Sequence, residues 1–238
     1  MSETETLTVL AVGAHPDDIE FGAGGVLLKE AERGAKIHLL ICSRGESGSS
    51  GSGKERVREC EAAAELLGAS LRFLDFGGDA KIEYTRKEAL VIAGIARELR
   101  PNIVLAPTTV ANQHPDHVAV GMIARDALRL ARYGGIEELK GFTSHAVDSL
   151  LHYAITPEAE PRDVTALLVE IGPVFEKWVK LMECHASQMK TRNYVELQTA
   201  RARMLGLQAG GAYAQALYPN DRLLIEDLAS APTGVRRF

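Results

Sequence analysis

Two short clusters place histidine and aspartate close enough together to hold a cation. The first is Ala14-His15-Pro16-Asp17-Asp18 and the second is His114-Pro115-Asp116-His117. His15 and Asp18 are three residues apart, so one turn can bring both side chains to a single point, while Asp17 between them stays free. Two ligands and an uncoordinated carboxylate suit a metal-dependent hydrolase, which needs a held ion and a base for its water. One more neutral imidazole completes a His/His/Asp set with a position open for water, and His117, at the start of a helix, is the choice. His114 then faces the substrate, with Asp116 close enough to orient it and keep it charged. Each cluster alone has a plainer reading, in which an aspartate caps the following helix and the histidine sits satisfied in a turn. The recurrence of the pattern after two strands argues against that reading for both.

The elements that must position these residues are legible in the first half of the chain. Leu7–Gly13, Lys36–Cys42, Leu71–Phe76 and Asn102–Pro107 read as strands. Between and after them, Gly24–Arg33, Lys54–Leu67, Thr85–Leu99 and Asp116–Tyr133 read as helices, two of them ended by Gly34 and Gly68. Strand–helix alternation with continuously apolar strands predicts an α/β fold, a Rossmann-like, mostly parallel sheet with helices on both faces. Ligands bind outside the carboxyl ends of such strands, where both clusters lie. Val147–Ile155 and Ala166–Gly172 read as further strands, Pro173–Gln188 as a long amphipathic helix, and Tyr194–Leu205 as a helix. A Gly-rich segment, Gly206–Gly211, and an irregular tail follow as a small C-terminal extension of one domain spanning 1–238. Ser43–Gly53, eleven polar residues rich in Gly and Ser, has the length of an active-site loop.

Composition narrows the class. The 238 residues carry 27 Lys and Arg against 32 Asp and Glu, a net charge of −5, which argues against a nucleic-acid binder. No apolar run approaches the roughly 20 residues of a membrane span, and the polar start, Met1 to Thr8, has no signal-peptide core. Three scattered cysteines, Cys42, Cys60 and Cys184, form no paired motif and fit a reducing cytoplasm. Gly22-Ala23-Gly24-Gly25 invites a dinucleotide reading but lacks the required spacing, and the histidine–aspartate turn occupies the pyrophosphate position. An iron(II) oxygenase triad fits poorly, because its HxD spacing belongs on a barrel strand. Arg56 can grip a carboxylate or sugar hydroxyls, or lie solvated on its helix; Glu46 can hold a sugar hydroxyl, or be a solvated loop charge.

The two clusters, in this order, resemble those of the LmbE-like (PIG-L) N-acetylglucosaminyl deacetylases. Further stretches are similar to that family: Arg44-Gly45-Glu46 before a Gly-rich run, Arg56 and Glu59 on an Ala-rich helix ending Leu67-Gly68, and His185-Ala186-Ser187-Gln188. Tyr213-Ala214-Gln215 resembles a late YAE, with Gln215 in place of Glu. The resemblance implies a cytoplasmic deacetylase of an amino-sugar conjugate. It implies zinc, or iron(II) or another divalent metal, on His15, Asp18 and His117, with Asp17, His114 and Asp116 catalytic. It also implies a homo-oligomer, a hexamer in the family. Spacing around Gly134-Gly135-Ile136 and Ser144-His145 looks most like the bacillithiol-pathway enzymes, which act on N-acetylglucosaminyl-malate. The rival expectations are an amidase for another N-acyl amino sugar or thiol-sugar conjugate, and a non-catalytic metal-dependent sugar-binding protein.

Overall fold

The computed structural model describes residues 6–190 and 192–235, so most of the polar opening run lies outside the described residues. The strands are β1 (Thr8–Gly13), β2 (Lys36–Ile41), β3 (Ser70–Phe73), β4 (Ile103–Pro107), β5 (Ser149–Tyr153), β6 (Leu167–Glu170) and β7 (Ala214–Pro219). The longer helices are α1 (Asp18–Glu32), α2 (Gly53–Leu67), α3 (Arg86–Leu99), α4 (Pro115–Arg132), α5 (Phe175–Glu183) and α6 (Tyr194–Ala209). All seven strands form one sheet of order β3-β2-β1-β4-β5-β7-β6. Strands β1 to β5 pair in parallel, and β7 runs antiparallel to both β5 and β6.

The residues of β1 show why the sheet is buried on both faces. Val9 and Ala11 point into a core shared with α1, α2, α5 and α6, while Leu10 and Val12 point into one shared with α3 and α4. A strand with two apolar faces needs cover on each side, and the alternating helices supply it. From β1 the chain winds outward to β2 and β3, then returns past β1 to place β4 on its other side. The connections leaving β1 and β4 therefore diverge, opening a crevice at their carboxyl ends. Among the described residues, no helix is long and apolar enough to cross a membrane.

Three elements differ from expectation. The tail taken as irregular contains β7, which inserts between β5 and β6. Its short run of buried Ala214, Gln215, Ala216, Leu217 and Tyr218 carries no alternation to announce a strand. The predicted helix over Pro173–Gln188 is confined to Phe175–Glu183, flanked by 3-10 turns at Gly172–Val174 and Ala186–Lys190, with His185 buried between them. Helix α1 starts at Asp18 rather than Gly24, so the glycine run lies inside the helix. The reason is close packing. A Cβ on Gly22 would lie 2.2 Å from the Tyr153 ring, and one on Gly24 would lie 2.9 Å from Leu181. A Cβ on Gly25 would lie 2.9 Å from Oε1 of Gln215, an atom that accepts the Val26 N–H at 3.0 Å. Gln215 thus braces α1 from β7.

The Tyr153 ring cannot retreat, since it is fully buried and its hydroxyl donates to the Val12 carbonyl at 2.8 Å. Gly22→Ala is therefore expected to destabilise the protein by on the order of 3 kcal/mol through overpacking. That corresponds to a fall in Tm of roughly 6–12 °C for a chain of this size. Gly24→Ala should cost less, because its closest contact is the flexible end of Leu181 at 2.9 Å and the Trp178 ring stands farther off at 3.1 Å. Equal melting temperatures for the two variants, measured by calorimetry, would contradict this account.

Candidate active site

The crevice holds both clusters. Asp18 is the first residue of α1, and its Oδ2 accepts the backbone N–H groups of Ala14 and His15, each at 2.9 Å. This tight turn aims the carboxylate back at its own loop. On the other side, His114 caps α4 and Pro115 opens it, where its fixed φ suits a first helical residue. One turn of helix then carries His117 inward. His117 Nε2 lies 3.1 Å from Asp18 Oδ1 and 3.2 Å from His15 Nδ1, and His15 Nδ1 lies 3.6 Å from Asp18 Oδ2. Ligand atoms around a tetrahedral zinc stand about 3.3 Å apart, as Zn–N and Zn–O lengths near 2.0–2.1 Å require. The three residues chosen from the sequence are thus brought together, with one Asp18 oxygen near His117 and the other near His15. His114 also presents a ring nitrogen within 4.8 Å of those of His15 and His117.

The electrostatics fit a cation as well. Asp17, Asp18, Asp79 and Asp116 are all buried here, with the Arg56 guanidinium against Asp17 at 3.1 Å and Asp79 at 4.0 Å. Burial alone would lower the His15 pKa, but the carboxylates of Asp18, Asp116 and Asp79 outweigh it and push it up to about 12. Burial disfavours the Asp18 carboxylate, yet His117 and His15 hold it well below the usual range. The far nitrogen of His15, Nε2, meets Asp79 and Asp116, the carboxylate–histidine arrangement that orients metal ligands.

Asp17 stands apart from this set. Its backbone lies in the left-handed region at φ 114°, where a non-glycine residue costs of order 1–3 kcal/mol. The turn delivers its Oδ2 to Arg56 Nη2 at 3.1 Å. Burial pushes the Asp17 carboxyl up to about 6, against the opposing pull of Arg56. Arg56 is itself set by a capping box, in which Ser52 and Glu55 bond each other's backbone N–H at the start of α2.

Three expected roles change. The Asp116 carboxylate reaches His15 Nε2 and the Ala80 N–H rather than His114. What His114 receives is the Asp116 backbone N–H on Nδ1, which leaves the proton of a neutral ring on Nε2. Burial and the neighbouring His15 and His117 lower its pKa, so a charged His114 is not what this geometry favours. The Arg56 amino groups are taken by the carbonyls of Pro16 and Gly45 and by Asp17. Arg56 lines the pocket, but its fork is occupied by the protein. Glu46 clamps its own loop, accepting the N–H groups of Arg44 and Asp79, and is exposed.

Above the donors lies a cavity of about 430 Å³. Its walls include Ser47–Ser50 of the Gly/Ser loop, Gln113, Thr156, Gln188 and Tyr194. Sequence reasoning missed Asp79, which arrives on the loop after β3; the two glycines before it were the only signal. It also missed Glu20, fully buried 3.4 Å from His185 Nε2 behind the site.

Comparison with known proteins agrees with this architecture. The PIG-L family model, described as GlcNAc-PI de-N-acetylase, matches residues 10–128, and the chain belongs to this family. The crystal structure of a conserved protein from Thermus thermophilus is similar at a TM-score of 0.82 and 30% identity, over 92% of this chain and 97% of that one. The diacetylchitobiose deacetylase of Thermococcus kodakarensis is 29% identical over 194 residues, 76% of this chain and 69% of that protein. The 4-oxalmesaconate hydratase of Pseudomonas putida is 29% identical over 222 residues, 87% of this chain and 82% of that protein.

His117→Ala removes the nitrogen common to the two shortest donor distances. It is expected to abolish stoichiometric divalent-metal binding while leaving the fold intact. Elemental analysis together with circular dichroism measures both, and full metal occupancy in the variant would refute the ligand assignment.

Proposed function

We propose that this protein is a metal-dependent amidohydrolase that removes the N-acetyl group from an N-acetylglucosamine conjugate. The observation that carries the reading is the convergence of His15 Nδ1, His117 Nε2 and the Asp18 carboxylate beside the strained, buried Asp17 carboxylate. The family and the similarity to a diacetylchitobiose deacetylase support the same chemistry. The hydroxyls of Ser49, Ser50 and Thr156 and the amide oxygen of Gln113 suit sugar hydroxyls, and the cavity has the size of small-molecule sites. N-acetylglucosaminyl-malate is the first substrate to test.

A divalent ion on His15, Asp18 and His117, zinc by default and iron(II) as the alternative, supplies Lewis acidity and lowers the pKa of water. The remaining work belongs to the chain. Asp17 accepts the proton of the water that attacks the acetyl carbon. Its other oxygen stays on Arg56, which fixes the carboxylate in place. The His114 Nε2–H donates to the acetyl oxygen as that oxygen gains charge. Asp17 then passes its proton to the sugar nitrogen, the C–N bond breaks, and acetate and the free amine leave. The neutral His114 tautomer needs no carboxylate partner for this role.

A hydratase reading has one observation in its favour, the similarity to 4-oxalmesaconate hydratase over most of that protein's length. The two readings separate in one assay. Zinc-loaded protein is offered N-acetylglucosaminyl-malate or diacetylchitobiose, and free amine is measured with and without chelator. A conjugated enol diacid is followed in parallel by ultraviolet absorbance. Chelator-sensitive amine release supports deacetylation; loss of absorbance without amine release overturns it in favour of water addition. Within the deacetylase reading, Asp17→Asn should keep its metal and lose about 10²–10⁴-fold in kcat, the usual worth of a general base. Near-normal turnover in that variant would remove Asp17 from the role.

A further inference from the structure

His15 Nε2 has two carboxylate oxygens within hydrogen-bond distance, Asp79 Oδ1 at 3.0 Å and Asp116 Oδ2 at 3.1 Å. A single N–H serves one of them well. Asp116 Oδ2 already accepts the Ala80 N–H at 2.7 Å. Asp79 Oδ1 has no such competitor, because the other bonds of Asp79 are made by different atoms. Its Oδ2 accepts the Ser47 N–H at 3.1 Å, its backbone carbonyl accepts the Ser47 hydroxyl at 2.9 Å, and its N–H donates to Glu46 Oε1 at 3.2 Å. Asp79 is therefore gripped by the Gly/Ser loop on three sides and offers its remaining oxygen to His15.

The backbone around Asp79 is held in an unusual path. Gly77 and Gly78 have φ of 89° and 96°, and Ala80 has φ of 63°. Left-handed backbone on both sides of one buried residue, including a non-glycine, indicates that its position is over-determined by its surroundings. Pairing with Arg56 does not account for it. Arg56 Nη1 stands 4.0 Å from Asp79 Oδ2, at the limit of an ion pair, and both Arg56 amino groups have closer partners.

We propose that Asp79 is a positioning residue that keeps the His15 proton on Nε2, so that the Nδ1 lone pair faces Asp18 and His117, and that it ties this tautomer to the loop over the pocket. The inference rests on the metal-site reading above. Asp79 touches no substrate in this scheme and acts through His15. Outer partners of this kind typically contribute 10–100-fold in metal affinity. Because Ser47 anchors Asp79 from the pocket wall, whatever orders the loop also steadies the ligand. By linkage, pocket occupancy and metal affinity strengthen each other.

The test is zinc affinity, measured by competition with a chromophoric chelator on folded, full-length protein. Asp79→Ala is expected to weaken zinc binding about 10–100-fold. Asp79→Asn, whose Oδ1 still accepts the Nε2 proton, should recover most of that loss, which also guards against an alanine variant that fails to fold. Nitrogen-15 spectra of the imidazoles in the zinc-loaded state should show the His15 Nε2–H still held in a strong hydrogen bond in the Asn variant and a weaker one in the Ala variant. Ser47→Pro, which removes the N–H on Asp79 Oδ2 without touching a donor atom, should also weaken zinc. Unchanged zinc affinity in Asp79→Ala, while His117→Ala loses the metal, overturns the proposal and leaves the metal site standing. An effect of Asp79→Ala without one of Ser47→Pro overturns the link to the loop. Wild-type protein that binds no zinc, iron(II) or cobalt(II) overturns the metal reading itself, and this proposal with it.

Discussion

Four carboxylates buried within one crevice set the terms for the rest of this structure. Asp17, Asp18, Asp79 and Asp116 repel one another in a region of low dielectric, with only Arg56 and the histidines to offset them. Such a cluster folds because each carboxylate is fixed by other groups. Asp18 takes two backbone N–H groups, Asp116 and Asp79 take one each, and Asp17 takes the guanidinium. Against the opposing effect of burial, the carboxylates around His15 also favour its charged form, pushing its pKa up to about 12.

The fold's contribution is to bring these groups together from distant parts of the chain. His15 and His117 are 102 residues apart in sequence yet 3.2 Å apart in space. They meet because β1 and β4 are neighbours in the sheet and the chain leaves their ends in opposite directions. Close packing keeps the two helices that carry Asp18 and His117 in place. Helix α1 lies tight against Tyr153 through Gly22, and α4 lies tight against the end of β4 through Gly121, where a Cβ would come 2.5 Å from the Pro107 carbonyl. These glycines are set by distance rather than by turn geometry.

Much of this was legible in the sequence because it is local. The His15/Asp18 turn, the start of α4 at His114–His117 and the alternation of β1 to α4 each depend on neighbours a few positions away. The missed features depend on contacts across the fold. Asp79 gains its meaning only when the loop after β3 reaches over β1. Gln215 reads as a polar tail residue until β7 places it against the backbone of α1. Asp116 sits beside His114 in sequence, which invited the pairing, yet helical geometry turns its carboxylate across to His15. Arg56 looked free because its acceptors, the carbonyls of Pro16 and Gly45, carry no signal in a side-chain pattern.

The cavity is built from two kinds of material. Its floor, at the ends of β1 and β4, is held by close packing, a strained backbone at Asp17 and the hydrogen bonds of Asp18, Asp79 and Asp116. Its walls come from the Gly/Ser loop, Ile155, Thr156, Gln188 and Tyr194, drawn from separate connecting segments. Away from Ser47, which is tied to Asp79, substitutions in the walls need not disturb the floor, so selection can rewrite what the cavity admits while the His/Asp cluster beneath stays in place. A descendant lineage could therefore diversify its diet of substrates one wall segment at a time, and the reactive centre would record its ancestry long after the walls had ceased to do so.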